Sequence, residues 1–215
     1  MQSQIFAACV GAAFVERHSD DIPIHHPRAG RLQRYERLAL CASQHALPAE
    51  SLNNSETFAV VVASEHGCFG ANIEHATALK NGGMAAVSPL LFPATVPSCA
   101  ASEVAISLKA NGPNYTLIGG AEIVYTAFDL TLSLLRREAT HVLLGVVDAW
   151  HPGLAVFGAT PQTHDGACFL YFTAAQGKEL AKPFRQQCLS DKTLSPLHAF
   201  VTLLSDLNIE LRIVQ

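Results

Sequence analysis

Apolar residues along this chain fall into alternating strand-like and helix-like segments. The run 58–63 is rich in β-branched residues and shows no polar alternation, which is typical of a strand covered on both faces. Similar apolar runs predict further strands over 5–14, 115–118, 141–147 and 168–173. Apolar positions at helical spacing predict helices over 31–47, 73–81, 100–110 and 122–137. Strands that alternate with helices indicate a layered α/β fold with a largely parallel sheet.

The C-terminal part of the chain has a different pattern. A polar stretch over 177–193 separates the body from a tail that predicts one amphipathic helix, 196–207, and one short strand, 210–214. We therefore expect two units, a main domain over residues 1–176 and a divergent tail over residues 177–215.

Composition adds a question about surfaces. Hydrophobic residues make up 49% of the chain and charged residues only 15%, whereas soluble domains carry roughly one quarter charged residues. One interpretation is that part of the apolar surface is buried against another subunit. The other is that the strands are covered on both faces and so lack polar positions. The two interpretations are compatible.

Charge and hydropathy exclude several classes of partner. The net charge is −4 and no cluster of Lys and Arg is present, so nucleic acid is not an expected partner. No apolar stretch approaches the roughly 20 residues that span a bilayer. The segment Met1–Ile5 lacks the positive charge that opens a secretory signal. We therefore expect a cytoplasmic protein with no membrane span.

The sequence predicts neither a metal nor a cofactor. The six cysteines are scattered without a C-x-x-C pair and are predicted to be buried thiols. Among the ten histidines, His66 stands two residues before Cys68, but no third ligand follows from the spacing. Motifs for phosphate loops, dinucleotide loops and the hydrolase nucleophile elbow are absent from the sequence. Gly119-Gly120, between a strand and a helix, fits either an anion-binding turn or plain turn chemistry, and we favour the turn.

Three segments in the middle of the chain resemble the N-terminal half of a β-ketoacyl-(acyl carrier protein) synthase. They are S-P-L-L-F-P-A-T at 88–95, the helical segment 100–106 and G-P-N-Y-T at 112–116. In that family an S-P-x-x-x-P-x-T loop precedes a helix, and G-P-x-x-T opens the strand that leads to the nucleophilic cysteine. Arg34–Leu40 resembles the family's arginine-flanked helix. The resemblance covers residues 5 to about 173 and implies a thiolase-like layered fold, with a mixed, mostly parallel sheet covered by helices.

The chain departs from the family at the catalytic position. Ungapped counting places Ala121 where the family has its cysteine, within Gly119-Gly120-Ala121-Glu122-Ile123. Condensation in this family needs a thiolate at the start of a helix, and alanine offers none. The family's two catalytic histidines belong to a C-terminal half that has no counterpart in this sequence. We expect no catalytic residue and no condensation by the family route.

The resemblance implies a subunit of the chain length factor type. Such a subunit forms a heterodimer with a full-length β-ketoacyl synthase, reaches acyl carrier protein through the complex, and serves type II fatty-acid or polyketide biosynthesis, with aryl polyenes as one candidate product. The implied dimer interface is the strand Tyr115, Thr116, Leu117 and Ile118. The implied acyl-tunnel residues are Leu90, Leu91, Phe92 and Thr95.

Three other interpretations remain open at this point. Glu122, beside the vacated position, is a candidate carboxylate for a malonyl decarboxylase or a thioesterase-like enzyme. A helix N-terminus stabilises the carboxylate anion, which would make Glu122 a modest base, and a plain charge at the helix start explains it equally. The chain is alternatively a pure scaffold for its partner, or a remnant of a longer enzyme.

Overall fold

The structure is a computed structural model that describes residues 6–16, 22, 24–47, 57–160, 164–175, 195–206 and 212–214 of the 215-residue chain. The strands of the described part are β1 (Phe6–Glu16), β2 (Phe58–Ser64), β3 (Asn114–Ile118), β4 (His141–Asp148), β5 (Gly166–Ala175) and β6 (Arg212–Val214). Its α-helices are α1 (Arg34–Ala46), α2 (Phe69–Gly82), α3 (Cys99–Ser107), α4 (Ile123–Arg137) and α5 (Pro196–Asp206).

The strands form one six-stranded sheet in the order β3-β2-β4-β5-β1-β6. β2 runs parallel to both β3 and β4, and β1 runs parallel to β6. β5 is antiparallel to both of its neighbours, β4 and β1. Three of the five adjacent pairs are therefore parallel, which confirms the predicted mixed, mostly parallel sheet.

Helices cover both faces of this sheet. On one face α1 and α3 pack on side chains that include Val60 and Leu143. On the other face α4 and α5 pack on side chains that include Val61 and Leu144. Every residue of β2 is buried, because successive side chains enter opposite cores. The unbroken apolar run at 58–63 therefore reflects a strand covered on both faces, as predicted.

Not all large apolar side chains are buried in the two cores. Large apolar side chains stay exposed on the loops after α2 and on β3, among them Met84, Leu90 and Phe92. The described part of the chain therefore confirms that strands are covered on both faces, and burial of the exposed apolar side chains against another subunit stays a prediction.

Helix boundaries differ from the predicted ones at their N-terminal ends. α1 starts at Arg34, three residues later than predicted, and a capping box between Gln33 and Glu36 fixes this start. α2 begins at Phe69, four residues earlier than predicted, and ends at Gly82, followed by the C-cap residue Gly83, whose φ of 63° suits glycine. The predicted loop at 90–97 contains a short 3-10 helix, Phe92–Thr95.

β4 and β5 approach each other closely at one glycine. A Cβ atom at Gly145 would overlap the ring of Phe169, which lies directly opposite on β5. The glycine makes room for the fully buried Phe169 ring. Close packing of this kind leaves no space for even one added methyl group.

The C-terminal helix and strand belong to the same layered structure. α5 buries Leu197, Phe200 and Leu204 in the core shared with α4, and β6 pairs with β1. The predicted domain boundary at 176/177 and the polar stretch 177–193 lie outside the described residues, so this division stays a prediction. None of the helices in the described ranges combines the length and the apolar character needed to cross a membrane.

Candidate functional site

Candidate functional residues lie at the edge of the sheet that is formed by the C-terminal ends of its parallel strands. β2, β3 and β4 are parallel, so their C-terminal ends meet there, and the antiparallel β5 begins at the same edge. The segments 65–67 and 119–122 follow β2 and β3, Asp148 ends β4, and His164 precedes β5. In open α/β sheets this edge is where ligand-binding residues usually collect.

The vacated catalytic position lies at the turn from β3 into α4. Ala121 is half-buried and Glu122, the residue that precedes the first turn of α4, is exposed. The Gly119 amide donates a hydrogen bond to the Ser64 carbonyl at 3.1 Å, so it serves the turn and is not available to an anion. This contact supports plain turn chemistry at Gly119-Gly120.

The predicted interface strand, β3, is the last strand on its side of the sheet. Within the described ranges only β2 pairs with it, which leaves the backbone groups of the other side unpaired. Tyr115 is 40% exposed and Ile118 is 45% exposed, while Leu117 packs against the α4 core. The Thr116 hydroxyl oxygen is buried without a hydrogen-bond partner. The strand is an open, partly apolar edge.

The predicted tunnel residues form a surface loop beside α2. Leu90 and Phe92 are exposed, and Leu91 is half-buried. The Thr95 hydroxyl donates to the Phe92 carbonyl at 2.7 Å and closes the 3-10 turn. The Phe92 ring lies 6.1 Å from the His75 ring of α2. The loop therefore presents apolar side chains outward, and the tunnel role stays a prediction.

The loop after β2 is held by a buried carboxylate. Oδ1 of Asp148 accepts hydrogen bonds from the Ser64 hydroxyl at 2.7 Å and from the amides of Glu65 and His66 at 3.0 and 3.3 Å. The Ser64 hydroxyl in turn accepts from the Gly67 amide at 2.7 Å, and Gly67 has a φ of +55°. Burial raises the pKa of Asp148 to about 6, against the lowering effect of these hydrogen bonds. Oδ2 of Asp148 has no hydrogen-bond partner.

This loop brings Glu65 and His66 next to His164. The His164 Nε2 atom lies 3.2 Å from Glu65 Oε2, and the rings of His66 and His164 are 5.3 Å apart. The hydrogen bond from His164 lowers the pKa of Glu65, and desolvation lowers the pKa of His66. For His164, burial disfavours the charged form, but Glu65 and Asp148 outweigh it and raise the pKa.

Sequence reasoning missed this cluster because His164 stands 99 residues after Glu65. It identified His66 but paired it with Cys68, whose thiol instead donates to the Thr95 carbonyl at 3.0 Å. The only sequence signal was a second histidine, His164, four residues before the predicted strand at 168–173, and no motif connects it to the loop after β2.

A pocket of about 350 Å³ opens between α1, the start of α2 and residues 149–151. Its lining includes Glu36, Cys68 and Cys99, none of which the sequence analysis selected as a site residue. Burial raises the pKa of both thiols, so neither is a thiolate nucleophile near neutral pH. The pocket therefore offers no replacement for the missing cysteine.

Comparison with known proteins places this arrangement in a family. The model of the β-ketoacyl synthase N-terminal domain matches residues 15–161. No curated protein matches the chain. Among solved structures, the ishigamide ketosynthase/chain length factor is similar at 23% identity with a TM-score of 0.60, over 71% of this chain and 47% of that one.

Two further structures extend the comparison. The complex of the ketosynthase ApeO with its chain length factor ApeC from Xenorhabdus doucetiae is similar at 21% identity with a TM-score of 0.55, over 69% of this chain and 60% of that one. The AntDE:AntF complex, a type II polyketide acyl-carrier protein with its ketosynthase bound to the hexaketide, is similar at 13% identity with a TM-score of 0.64. It is matched over 79% of this chain and 58% of that one. The chain thus spans about half the length of these proteins, and the similarity establishes the fold.

Proposed function

Because this chain belongs to the family of β-ketoacyl synthase N-terminal domains, we propose that it is a non-catalytic ketosynthase-like subunit. It pairs with a full-length β-ketoacyl synthase in type II fatty-acid or polyketide biosynthesis. The similar solved structures include two complexes named for a ketosynthase and a chain length factor, which supports a role of this kind.

The non-catalytic assignment is based on the start of α4. A condensing enzyme needs a thiolate that the helix N-terminus stabilises, and Ala121 occupies that place. Cys68 and Cys99 line the pocket between α1, the start of α2 and residues 149–151. Burial raises the pKa of both thiols and so keeps them protonated. A covalent acyl intermediate therefore has no attachment point at the family position.

The open edge of β3 is the observation that best supports pairing with a ketosynthase. Unpaired backbone groups on an edge strand readily accept another strand. Tyr115 and Ile118 add exposed apolar surface to this edge, and Leu90 and Phe92 lie on a loop that also exposes apolar side chains. A partner ketosynthase that pairs with Tyr115–Ile118 would cover surface that is otherwise unfavourable in water.

The loop Leu90–Thr95 carries the proposed effect on the acyl chain. Leu90 and Phe92 expose their side chains and Leu91 is half-buried, as expected for a loop that lines part of a partner's tunnel. The acyl carrier protein would then act on the complex through the catalytic partner, and an aryl polyene is one candidate product class. A pure scaffold role would leave product length unchanged.

An independent activity of Glu122 is less well supported. Its carboxylate is exposed, whereas catalytic carboxylates are commonly desolvated and coupled to a specific partner. A charge at the start of α4 is sufficient to explain this residue.

Co-expression with a full-length β-ketoacyl synthase from the same organism, followed by size-exclusion chromatography and native mass spectrometry, tests the pairing. We expect a one-to-one complex with the native chain. Ile118→Lys and Tyr115→Lys should abolish it, because each places a charge on the edge that the partner covers.

Val156→Lys is the matched control, since Val156 is 81% exposed and lies in the segment after β4, outside the β3 strand. It should leave the complex intact. If the native chain forms no complex, or if the edge variants associate as well as the control, pairing through β3 is wrong.

A further inference from the structure

The cluster at the end of β2 has the composition of a metal site. Glu65, His66 and His164 each contribute one ligand atom, and these atoms lie within 4.8 Å of one another. We propose that they bind a divalent transition metal ion of the zinc class through two imidazoles and one carboxylate. This proposal does not depend on the proposed function, because it concerns residues outside both β3 and the tunnel loop.

The distances fit a zinc site after small side-chain movements. Zinc binds imidazole nitrogen and carboxylate oxygen at about 2.0–2.2 Å in tetrahedral geometry, which separates neighbouring ligand atoms by about 3.4 Å. The pair His164 Nε2 and Glu65 Oε2 already lies at 3.2 Å. The ligand atoms of the cluster lie within 4.8 Å of one another, so a movement of the half-buried His66 ring by at most about 1.4 Å toward this pair would complete three positions of the tetrahedron.

The backbone around the cluster is fixed by contacts outside it. Asp148 accepts the amides of both Glu65 and His66, and Ser64 accepts the Gly67 amide, so the loop that carries two ligands has little freedom. Hydrogen bonds from surrounding residues hold the ligands of metal sites in orientation in the same way. The bound ion would not have to order this loop.

An unpartnered buried oxygen gives independent support. Asp148 is fully buried, and its Oδ2 atom has no hydrogen-bond partner. A buried carboxylate oxygen without a hydrogen-bond partner destabilises the folded state unless a positive charge lies near it. A divalent ion held by Glu65 and the two imidazoles would supply that charge, since Asp148 is close enough to interact electrostatically with His164. The two carboxylates together balance the charge of such an ion.

The donor set predicts which ions bind. Imidazole ligands favour zinc, cobalt, nickel and copper over magnesium and calcium, which prefer oxygen ligands only. The side chains of His164 and Glu65 are 12% and 30% exposed, so an ion can enter from solvent and keep one position for water. Three protein ligands and one open position are the arrangement of exchangeable zinc sites.

Metal titration of the full chain tests the proposal. After treatment with a chelator, we expect Zn²⁺ to bind one-to-one by calorimetry, and Co²⁺ to give the intense visible absorption of a tetrahedral site. Mg²⁺ in large excess should not compete. His66→Gln, His164→Gln and Glu65→Gln should each weaken Zn²⁺ binding by about 100-fold or more, because loss of a ligand exceeds the effect of losing an outer contact.

His25→Gln is the matched control, since His25 is an exposed histidine outside the cluster. It should bind Zn²⁺ as the native chain does. Circular dichroism of the metal-free variants checks folding, and three separate variants keep the result interpretable if one is unstable. Absence of one-to-one binding, or equal affinity in the cluster variants and the control, would overturn the site. In that case the contact between His164 and Glu65 is only an ion pair.

Discussion

The ion pair between Arg34 and Asp165 should contribute strongly to the stability of this domain. Arg34 Nε and Nη2 donate to Asp165 Oδ1 and Oδ2, both at 2.7 Å, and the two side chains are only 21% and 5% exposed. The pair joins the first residue of α1 to the residue before β5, and Asp165 also accepts the Trp150 amide at 3.3 Å.

Removing one partner of a buried pair leaves the other charge without compensation, at a cost of about 3–5 kcal/mol. The total unfolding free energy of a domain is about 5–15 kcal/mol, so Asp165→Asn or Arg34→Met should remove a large part of it. Replacing both residues should cost much less than the sum, because neither charge is then left unpaired. The coupling between the two changes should exceed about 1.5 kcal/mol.

Urea unfolding of the four proteins, followed by the fluorescence of Trp150, measures this coupling, because Trp150 is the only tryptophan in the chain. Arg28 and Glu103 form the control pair at 2.8 Å, with Arg28 45% exposed. Their coupling should be about 0.2–1 kcal/mol, as for other exposed pairs. Equal coupling in both pairs, or additive effects of Arg34→Met and Asp165→Asn, would refute this reasoning.

Three further predictions concern the proposed function and the pocket. In the reconstituted complex, Leu91→Ala should lengthen the products and Leu91→Trp should shorten them, since one methylene of apolar space is worth about 0.8 kcal/mol; unchanged product masses would favour the scaffold role. The native chain should take up no acyl group from carrier protein, and an acyl adduct in intact-mass spectrometry would contradict this; Ala121→Cys should likewise gain no condensation activity. Burial raises the pKa of the Glu36 carboxyl above 4.5. As the pH rises, the unfolded chain therefore loses this proton before the folded chain does. Stability from this group is therefore greatest below pH 4.5 and falls as the pH rises toward the folded pKa. Glu36→Gln should gain stability relative to the native chain over that range, and a pH-independent difference in urea unfolding would exclude the effect.

Much of the layered fold could be predicted because its strands are marked by composition. The segments 58–63 and 141–147 are rich in β-branched residues and show no polar alternation. A strand of this composition must be covered on both faces, so the sequence predicts that these segments are strands and that they lie inside the sheet. The direction of β5 could not be predicted, because periodicity is the same in parallel and antiparallel strands. The start of α2 was missed because Cys68 is not a capping residue type and Gly70 weakens the first turn.

The candidate sites were only partly accessible to sequence reasoning. Ala121 and β3 could be located because a family resemblance gives their order along the chain. The group of Glu65 and His164 depends on the pairing of β4 with an antiparallel β5, which brings residue 164 back to the end of β2. The pocket beside Cys99 likewise depends on how α1 packs over the sheet. No local pattern encodes such long-range neighbours.

The open edge at β3 has a consequence for the chain on its own. Among the described strands only β2 pairs with β3, and Tyr115 and Ile118 add exposed apolar surface to that edge. An edge strand of this kind is a template for a strand from another copy of the same protein. Without a partner on β3, this chain should therefore self-associate as its concentration rises, and an excess of it over its partner should aggregate.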